Sequence, residues 1–533
     1  MRIHLSLKGA PARSARILFC LAVLSFAGVS MAGAAGSEAS TITELVAQLP
    51  DRDDAVRDFY HMRAYQPAWR GADIGILRST LERAADEGLN PDDYSPANEG
   101  SADLRDVNLT RSALRYLHDV NQGREAIRFI DDDVALPQAP FDAAKALNDA
   151  LNSNSLVVLL RDSAPTSLDY AKLRGALKIY RAIDDQGGWP NLVLPLTSVN
   201  ALTDQQARSL SSRLAHEDGA WAGNSPPDLA AGLKRFQMRH GLAPSGRIDS
   251  ATASELNVPA TYRVRQIVAN LERLRWMPRR LEADYILVNV PDARLSLTLG
   301  GKDVLASRVI VGKPATPTPI LRAEGAGLTV NPPWNVPESI ARKEILPRLK
   351  VDRFYLKKQD MVLLNGPAGD PYGLTVAWRS IPKEMFPYLI QQRPGASNPL
   401  GTVKLDLPNK FDVYLHDTPL KKSFAKVNRD LSHGCVRVER ILPLASYALS
   451  KTPNDMSIII DAISSGQTKY LPLKRQLPVY FIYQTVFVDA AGLLQFRPDI
   501  YGRDRRMMAA LSKNAAAAEG TRVACAIANA RRG

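Results

Sequence analysis

The sequence predicts a multidomain α+β protein: a helical N-terminal scaffold, a small helical module, and a mainly β domain with a long capping insertion. Apolar residues recur at helical spacing from about residue 41 to residue 258, whereas runs of alternating apolar and polar residues begin at residue 284. The chain has 533 residues, 45% hydrophobic and 23% charged, which is enough for about three domains with ordinary cores.

Residues 1–34 are predicted to form a signal peptide. Four Lys and Arg residues among the first sixteen precede an apolar run over residues 17–29, and Ala32-Gly33-Ala34 has the form of a cleavage site. The apolar run is shorter than an ordinary membrane span, although an uncleaved anchor is the alternative. No later stretch is long and apolar enough to span a membrane, so we expect an exported mature chain without a transmembrane segment.

The chain is basic, with a formal net charge of +13, and four of these positive charges lie in the signal peptide. A basic exported protein suits a polyanionic partner, such as a carboxylate-rich cell wall or anionic lipid. No Lys/Arg block is interleaved with aromatic residues, so nucleic acid is not an expected partner. Of the three cysteines, Cys20 lies in the signal peptide. Cys435 and Cys525 remain, too few for a disulfide scaffold, although a bond between them is an alternative.

Two helical regions precede the β domain. Residues 41–215 are predicted to form the scaffold domain, and residues 220–258 a compact module whose second helix begins at an Asp249 or Ser250 N-cap. One face of the first module helix is predicted to carry Leu229, Leu233, Phe236 and Met238. The stretch from Leu233 to Asp249 resembles the peptidoglycan-binding module of many wall hydrolases. A helical spacer without ligand affinity is the alternative.

Residues 284–463 are predicted to form the mainly β domain. Strands are expected at 285–290, 294–299, 304–311, about 326–331, 411–416 and 456–460. The insertion at 337–397 begins with a helix over 337–349, and a segment this long inside a compact domain is typical of a lid or binding element. Another helix is expected over 441–449. Residues 464–512 are predicted to pack back on the scaffold, and the alanine-rich end, 513–533, to be disordered.

The candidate catalytic residues lie at the end of one predicted strand and in the turn that follows it in sequence. His416 ends the run 412–416, and Cys435 follows Ser432-His433-Gly434. Thiolate is the reactive form of cysteine, and a neighbouring imidazole is the usual means of generating it near neutral pH. We therefore predict that Cys435 is a nucleophile and His416 its general base.

The neighbouring residues supply candidates for the other needs of acyl transfer. Asp417 is expected to orient His416, through its backbone or its side chain. The peptide N–H groups around Gly434 and Cys435 are expected to form an oxyanion hole, within the turn that Ser432 begins. His433 is expected to line the cleft, and Arg437 to bind a substrate carboxylate bidentately. Zinc held by His416, His433 and Cys435 is the alternative, but no fourth ligand is evident, so no metal or cofactor is predicted.

This pattern resembles the central motif of the L,D-transpeptidases with a YkuD-type catalytic domain. The matching elements are His416, fifteen intervening residues, and then Ser432-His433-Gly434-Cys435-Val436-Arg437. Further segments agree: Val311-Gly312-Lys313 with Thr318-Pro319, Asn331 to Pro337, Asn398 to Gly401, and Phe496 to Asp504. The last of these resembles the large multidomain Gram-negative branch, and the resemblance covers nearly all of the mature chain.

The resemblance implies a periplasmic cysteine acyltransferase that acts on peptidoglycan without a cofactor. By this resemblance, Cys435 attacks a tetrapeptide stem after its third residue, D-alanine leaves, and a neighbouring stem amine resolves the thioester to give a 3→3 cross-link. His416 is implied as base and the Asp417 main-chain carbonyl as its orienter. Carbapenems are implied to acylate the same thiol. The alternatives are a carboxypeptidase or endopeptidase that uses water as acceptor, and an inert wall-binding scaffold.

Overall fold

The structure, a computed structural model, describes residues 41–217, 226–450 and 456–512. The predicted signal peptide and the predicted disordered tail, with Cys20 and Cys525, lie outside these residues. Within the described ranges no helix has the length and apolar character needed to cross a bilayer.

The N-terminal half is helical, as predicted. Its helices are α1 (Ile42–Ala47), α2 (Asp54–Met62), α3 (Gly71–Glu82), α4 (Ala102–Gln122), α5 (Glu125–Arg128), α6 (Ala143–Asn152), α7 (Leu156–Asp162), α8 (Leu168–Asp185), α9 (Asp204–Ala215), α10 (Pro226–Arg239), α11 (Ser250–Leu256) and α12 (Ala260–Arg275). The longest, α4, begins because the Ser101 side chain accepts the Leu104 N–H, and it ends at Gly123, whose φ is 78°. Its buried face joins one apolar core with α1–α3 and α6–α8.

The small module is larger than the predicted range 220–258, because α9 shares its core. Leu210 and Leu214 of α9 pack with Leu229, Leu233 and Phe236 of α10 in one apolar cluster. Asp249 caps α11, as predicted, by accepting the Thr252 N–H. The prediction for Met238 is wrong, since its side chain is 52% exposed, and the next residue towards the N-terminus, Gln237, is buried instead. Gln237 is accommodated because its amide bonds the Gly246 N–H and the Arg247 carbonyl.

Helix α12 connects the module to the β domain and is buried along much of its length. Its Glu272 and Arg275 side chains are fully buried and form an ion pair of 2.8 Å. Arg124, which follows α4, donates its backbone N–H to Glu272 at 2.6 Å. Arg273 pairs with Asp504 of the C-terminal region. Charged groups in this helix therefore tie the scaffold and the C-terminal region together.

The β domain is one sheet that closes on itself. Its strands are β1 (Val134–Ala135), β2 (Tyr285–Asn289), β3 (Arg294–Leu299), β4 (Lys302–Gly312), β5 (Ile320–Val330), β9 (Val403–Asp406), β10 (Leu415–His416), β11 (Asp430–Ser432), β12 (Val436–Val438) and β13 (Lys469–Ile482). Their order is β1-β5-β13-β2-β3-β4-β12-β10-β9, and β11 pairs with β4. Because β9 also pairs with β5, the strands between them enclose a single apolar core.

Two C-terminal predictions need correction. The strand expected at 456–460 is a helix, α17 (Met456–Ser464), which packs against α16 (Ile441–Ser450), itself predicted as a helix. Three successive isoleucines favour a strand locally. The buried residues of α17 are Ile459 and Ala462, three positions apart, so the burial follows one helix face.

The segment 464–512 does not pack only on the scaffold. Its strand β13 lies inside the sheet, parallel to β2 and antiparallel to β5. The following hairpin, β14 (Val486–Val488) and β15 (Leu494–Phe496), does contribute Val486 and Phe496 to the scaffold core. Sequence periodicity indicates a strand but does not indicate its partner strands.

The capping insertion forms its own small core. It contains α13 (Glu338–Ile340), a π-helical turn (Ala341–Ile345), α14 (Leu346–Leu349), α15 (Tyr355–Lys358), and a three-stranded sheet of β6 (Trp334–Asn335), β7 (Met361–Leu363) and β8 (Ile390–Gln392). Leu346, Leu356 and Trp378 lie at the centre of this core. The predicted fold class, helical scaffold plus mainly β domain with an insertion, is confirmed.

Candidate active site

Strand register brings the candidate catalytic residues onto one face of the sheet. In the parallel pair β10–β12, His416 lies level with Arg437 and Leu415 with Val436. The Val436 N–H donates to the Tyr414 carbonyl at 3.0 Å, so the pairing continues to the level of Cys435. Because side chains alternate between faces, Tyr414, His416, Cys435 and Arg437 point to the same side.

Cys435 is a free, partly exposed thiol beside Tyr414 and Asp412. Its Sγ lies 3.5 Å from the Asp412 carbonyl oxygen, to which the thiol donates. Burial raises the pKa of the Cys435 thiol, while the backbone and side chain of Tyr414 act in the opposite direction. The sulfur is therefore protonated at neutral pH.

His416 is buried and uncharged. Burial, followed by the positive charge of Arg437, lowers the pKa of His416 to about 3, and Lys404 contributes in the same direction. Lys404 lies level with His416 in the antiparallel pair β9–β10, so the ring sits between two cationic residues. The backbone of Asp417 acts to raise the pKa, but His416 Nδ1 makes no hydrogen bond of good geometry with the described residues. The neutral ring keeps an unprotonated nitrogen, and burial and the two cations weaken its affinity for a proton.

The Asp417 carboxylate binds residues other than His416. Its Oδ2 accepts the Thr402 N–H and hydroxyl at 3.0 Å each, and its other oxygen binds Lys421. Although burial acts to raise it, these partners hold the pKa of Asp417 below its usual value. Gly401 lies directly against this carboxylate, where a Cβ would overlap it. Of the two predicted ways for Asp417 to orient His416, only the backbone remains available.

The turn before Cys435 is held by side chains. Ser432 Oγ donates to the Cys435 carbonyl at 2.6 Å and accepts the Gly434 N–H at 3.2 Å. The φ of Gly434 is 114°, a conformation that favours glycine. Since the Gly434 N–H is already bonded, the Cys435 N–H, for which the described residues provide no partner, is the available donor for an oxyanion.

His433 precedes the cysteine and Arg437 follows it along the chain. His433 Nε2 is 2.6 Å from Glu344 Oε1 of the capping insertion and 3.3 Å from Lys313 Nζ. The insertion therefore directly contacts the turn that leads from Ser432 to Cys435. Arg437 forms no ion pair with a carboxylate among the described residues, and its Nε is buried without a partner. Its guanidinium is thus available to a carboxylate ligand.

Two groups of residues at this site were missed by sequence reasoning. Tyr414 contacts the thiol, and both burial and Cys435 raise the pKa of its hydroxyl, while Lys404 Nζ lies 4.4 Å from its ring centroid. Thr318 donates to the Gly434 carbonyl at 2.7 Å and is itself held by Tyr501, whose hydroxyl lies 3.2 Å from the Thr318 N–H. The two-residue spacing of Tyr414 and His416 on a strand would have indicated the first group.

The zinc alternative finds no support in the arrangement of side chains. Among the described residues, no three His, Cys, Asp or Glu side chains are grouped so that they could hold a metal ion. His433, one of the three ligands considered, is engaged by Glu344 instead.

The site therefore brings a cysteine and a histidine together on one face of the sheet in the β domain. Residues 283–460 match the family described as L,D-transpeptidase catalytic domain (YkuD), and residues 54–177 match the Scaffold domain family. The chain therefore carries an L,D-transpeptidase catalytic domain of the YkuD family, preceded by a scaffold domain.

A curated protein of Haemophilus influenzae named "Putative L,D-transpeptidase" is 33% identical over 256 residues. The match covers 48% of this chain and 50% of that protein, so the chain spans about half the length of the relative. Two solved structures also match part of the chain. The Ldtfm–avibactam carbamoyl enzyme has 14% identity, with 39% of this chain and 51% of that chain covered and a TM-score of 0.19. L,D-transpeptidase 1 of Mycobacterium tuberculosis has 12% identity, with 38% and 61% covered and a TM-score of 0.15.

Proposed function

We propose that this protein is a periplasmic cysteine L,D-transpeptidase that forms 3→3 cross-links between peptidoglycan stem peptides. The observation that carries the proposal is a free thiol, Cys435, on one sheet face with a neutral imidazole, His416, and an unpaired guanidinium, Arg437. These are the groups that acyl transfer from a carboxylate-bearing peptide requires. The stem peptide and the 3→3 linkage come from the family resemblance.

In the proposed reaction, the proton moves as the sulfur attacks. Cys435 Sγ bonds to the carbonyl carbon of the third stem residue, and His416 accepts the thiol proton. The Cys435 N–H stabilises the oxyanion, and Arg437 binds a stem carboxylate. The bond to terminal D-alanine then breaks, and the proton passes to its amine. In the second half-reaction, an amine of another stem attacks the thioester and the sulfur regains a proton.

The thiol is expected to be the only site of covalent acylation by a carbapenem. Intact-mass spectrometry should detect one carbapenem adduct on the wild type and none on Cys435→Ala, because the alanine has no nucleophile. Cys525→Ser is the matched control, since it removes the other cysteine of the mature chain and should keep the adduct. An adduct that survives in Cys435→Ala, or is lost in Cys525→Ser, contradicts the assignment.

The acceptor is tested with a disaccharide tetrapeptide as the sole substrate. Release of D-alanine together with a cross-linked dimer supports the transpeptidase. Release without a dimer supports the second candidate, a carboxypeptidase with water as acceptor. The contact between Glu344 and His433 favours the transferase, because a cap resting on the catalytic turn helps to exclude water.

The reactivity of Cys435 is expected to rise with pH. Since burial raises the pKa of the thiol and His416 stays neutral above a pKa of about 3, the thiolate fraction should increase about tenfold per pH unit. The measurement is the rate constant for iodoacetamide alkylation of Cys525→Ser from about pH 6 to about pH 8. A rate constant that stays flat over this range would mean a preformed thiolate–imidazolium pair, contrary to the charges described above.

A further inference from the structure

A second cleft, separate from the candidate active site, lies where the small module meets the β domain. It has a volume of about 1270 Å³ and is lined by the end of α10 with its following turn, 235–244, by the β2–β3 turn, and by the segment 425–430. The hairpin β14–β15 closes the remaining side. Neither Cys435 nor His416 lines this cleft. Met238, the exposed apolar residue of α10, lies on its wall.

The cleft carries an excess of positive charge. The basic residues on its walls are Arg235, Arg239, Arg294, Lys426, Arg429 and Arg497, and the acidic residues are Asp292, Asp430 and Asp489. Asp292 is engaged by Arg497 at 2.6 Å and by Arg294 at 3.6 Å. Asp489 accepts backbone and amide N–H groups of its own hairpin. Basic side chains therefore outnumber acidic ones on the cleft walls by six to three.

Among the described residues, the acceptors of Arg239 and Arg429 are carbonyl oxygens only. Arg429 donates to the carbonyls of Lys426, Val427, Asp292 and Ala293, and burial lowers the pKa of its guanidinium. Arg239 donates to the carbonyls of Leu494 and Glu217. Carbonyl partners fix the position of a guanidinium without neutralising it, so these charges attract an anion in the cleft.

The cleft also connects the module to the catalytic turn. The Arg429 carbonyl accepts the Val311 N–H at 2.9 Å. From Arg429 the chain continues through β11 to Cys435. On the other side, the wall belongs to the turn 240–244 after α10, within the stretch that resembles a peptidoglycan-binding module. A ligand in this cleft contacts both domains at once.

We propose that this cleft binds the carboxylate-bearing peptide stems of a peptidoglycan strand, and so holds the wall beside the active site. This inference rests on the proposed function for the identity of the polymer, but not for the site itself. Stem peptides suit the cleft because they carry several carboxylates along a flexible chain, and fixed guanidinium groups bind carboxylates well.

The test compares two double charge reversals. Lys426→Glu with Arg294→Glu changes exposed side chains of the cleft. The control variant, Lys302→Glu with Lys474→Glu, makes the same charge change at two exposed positions that do not line the cleft. Lys302 lies at the opposite end of the β3–β4 hairpin from Arg294. Binding is measured by co-sedimentation of the full mature chain with isolated sacculi. We expect the cleft variant to bind about tenfold more weakly and the control variant to bind like the wild type.

Two further arms identify the ligand and separate the two proposals. Sacculi stripped of stem peptides by an amidase should lose the wild-type binding, and binding that survives would point to glycan and overturn the inference. Equal loss in both double variants, or wild-type binding by the cleft variant, would also overturn it. Carbapenem acylation of Cys435 should be the same in all variants. Absence of that adduct in the wild type would instead count against the proposed function and leave the sedimentation result intact.

Discussion

Replacing His416 with alanine is expected to slow carbapenem acylation of Cys435 by about 10²- to 10⁴-fold at neutral pH, the usual contribution of a general base. The loss should be large because burial keeps the thiol protonated, so that the attack depends on transfer of its proton. The ratio of wild-type to variant rates should shrink at alkaline pH, where hydroxide ionises the thiol without help. The measurement is an intact-mass time course at about pH 7 and about pH 9.5.

A matched histidine replacement provides the control for His416→Ala. His61 is exposed on α2, far along the chain from the catalytic strands, and His61→Ala should acylate at the wild-type rate. An unchanged rate in His416→Ala would contradict the role of base. A loss of the same size at both pH values would also contradict it, because it would point to a structural effect of the ring.

Replacing Glu272 with alanine is expected to lower the free energy of unfolding by about 3–5 kcal/mol, the usual cost of breaking a buried ion pair from one side. Glu272 is fully buried and binds Arg275 at 2.8 Å, together with Arg124. Loss of the Glu272 carboxylate leaves the fully buried Arg275 guanidinium with only the Tyr170 hydroxyl and the Glu87 carbonyl as partners among the described residues. Urea unfolding followed by circular dichroism gives the free energy, and hydrogen exchange in α4 and α12 locates the change.

The control is an exposed ion pair in the capping insertion. Glu338 and Arg342 pair at i,i+4 on the surface of a helix, so Glu338→Ala should change the free energy of unfolding by about 0.5 kcal/mol or less. Similar effects of Glu272→Ala and Glu338→Ala would contradict the role of the buried pair in joining the scaffold to α12.

Sequence patterns predicted helices and strands correctly where the local pattern of apolar and capping residues agreed with the burial of those residues in the folded protein. The change from helical to alternating periodicity at residue 284 marks the start of the β domain, since β2 begins at Tyr285. The short strand β1, which joins the same sheet from within the predicted scaffold, was not predicted. Asp249 caps its helix, as a side-chain oxygen before a helical run should. Met238 and the run Met456–Ile460 were misassigned because burial depends on which other elements pack nearby. Those neighbours are distant in sequence, and a short window carries no information about them.

For the candidate site, the sequence alone determined the reactive residue types and their order: His416, then Ser432 to Arg437, in a domain of the L,D-transpeptidase catalytic family. Only the tertiary structure decided their register, the position of Tyr414 and Lys404 beside them, and the charges of the thiol and the imidazole. It also decided that a basic cleft joins the module to the β domain. The physical reason is that residue identity is written in the chain, whereas burial, electrostatic environment and strand partners arise from contacts between segments far apart in sequence.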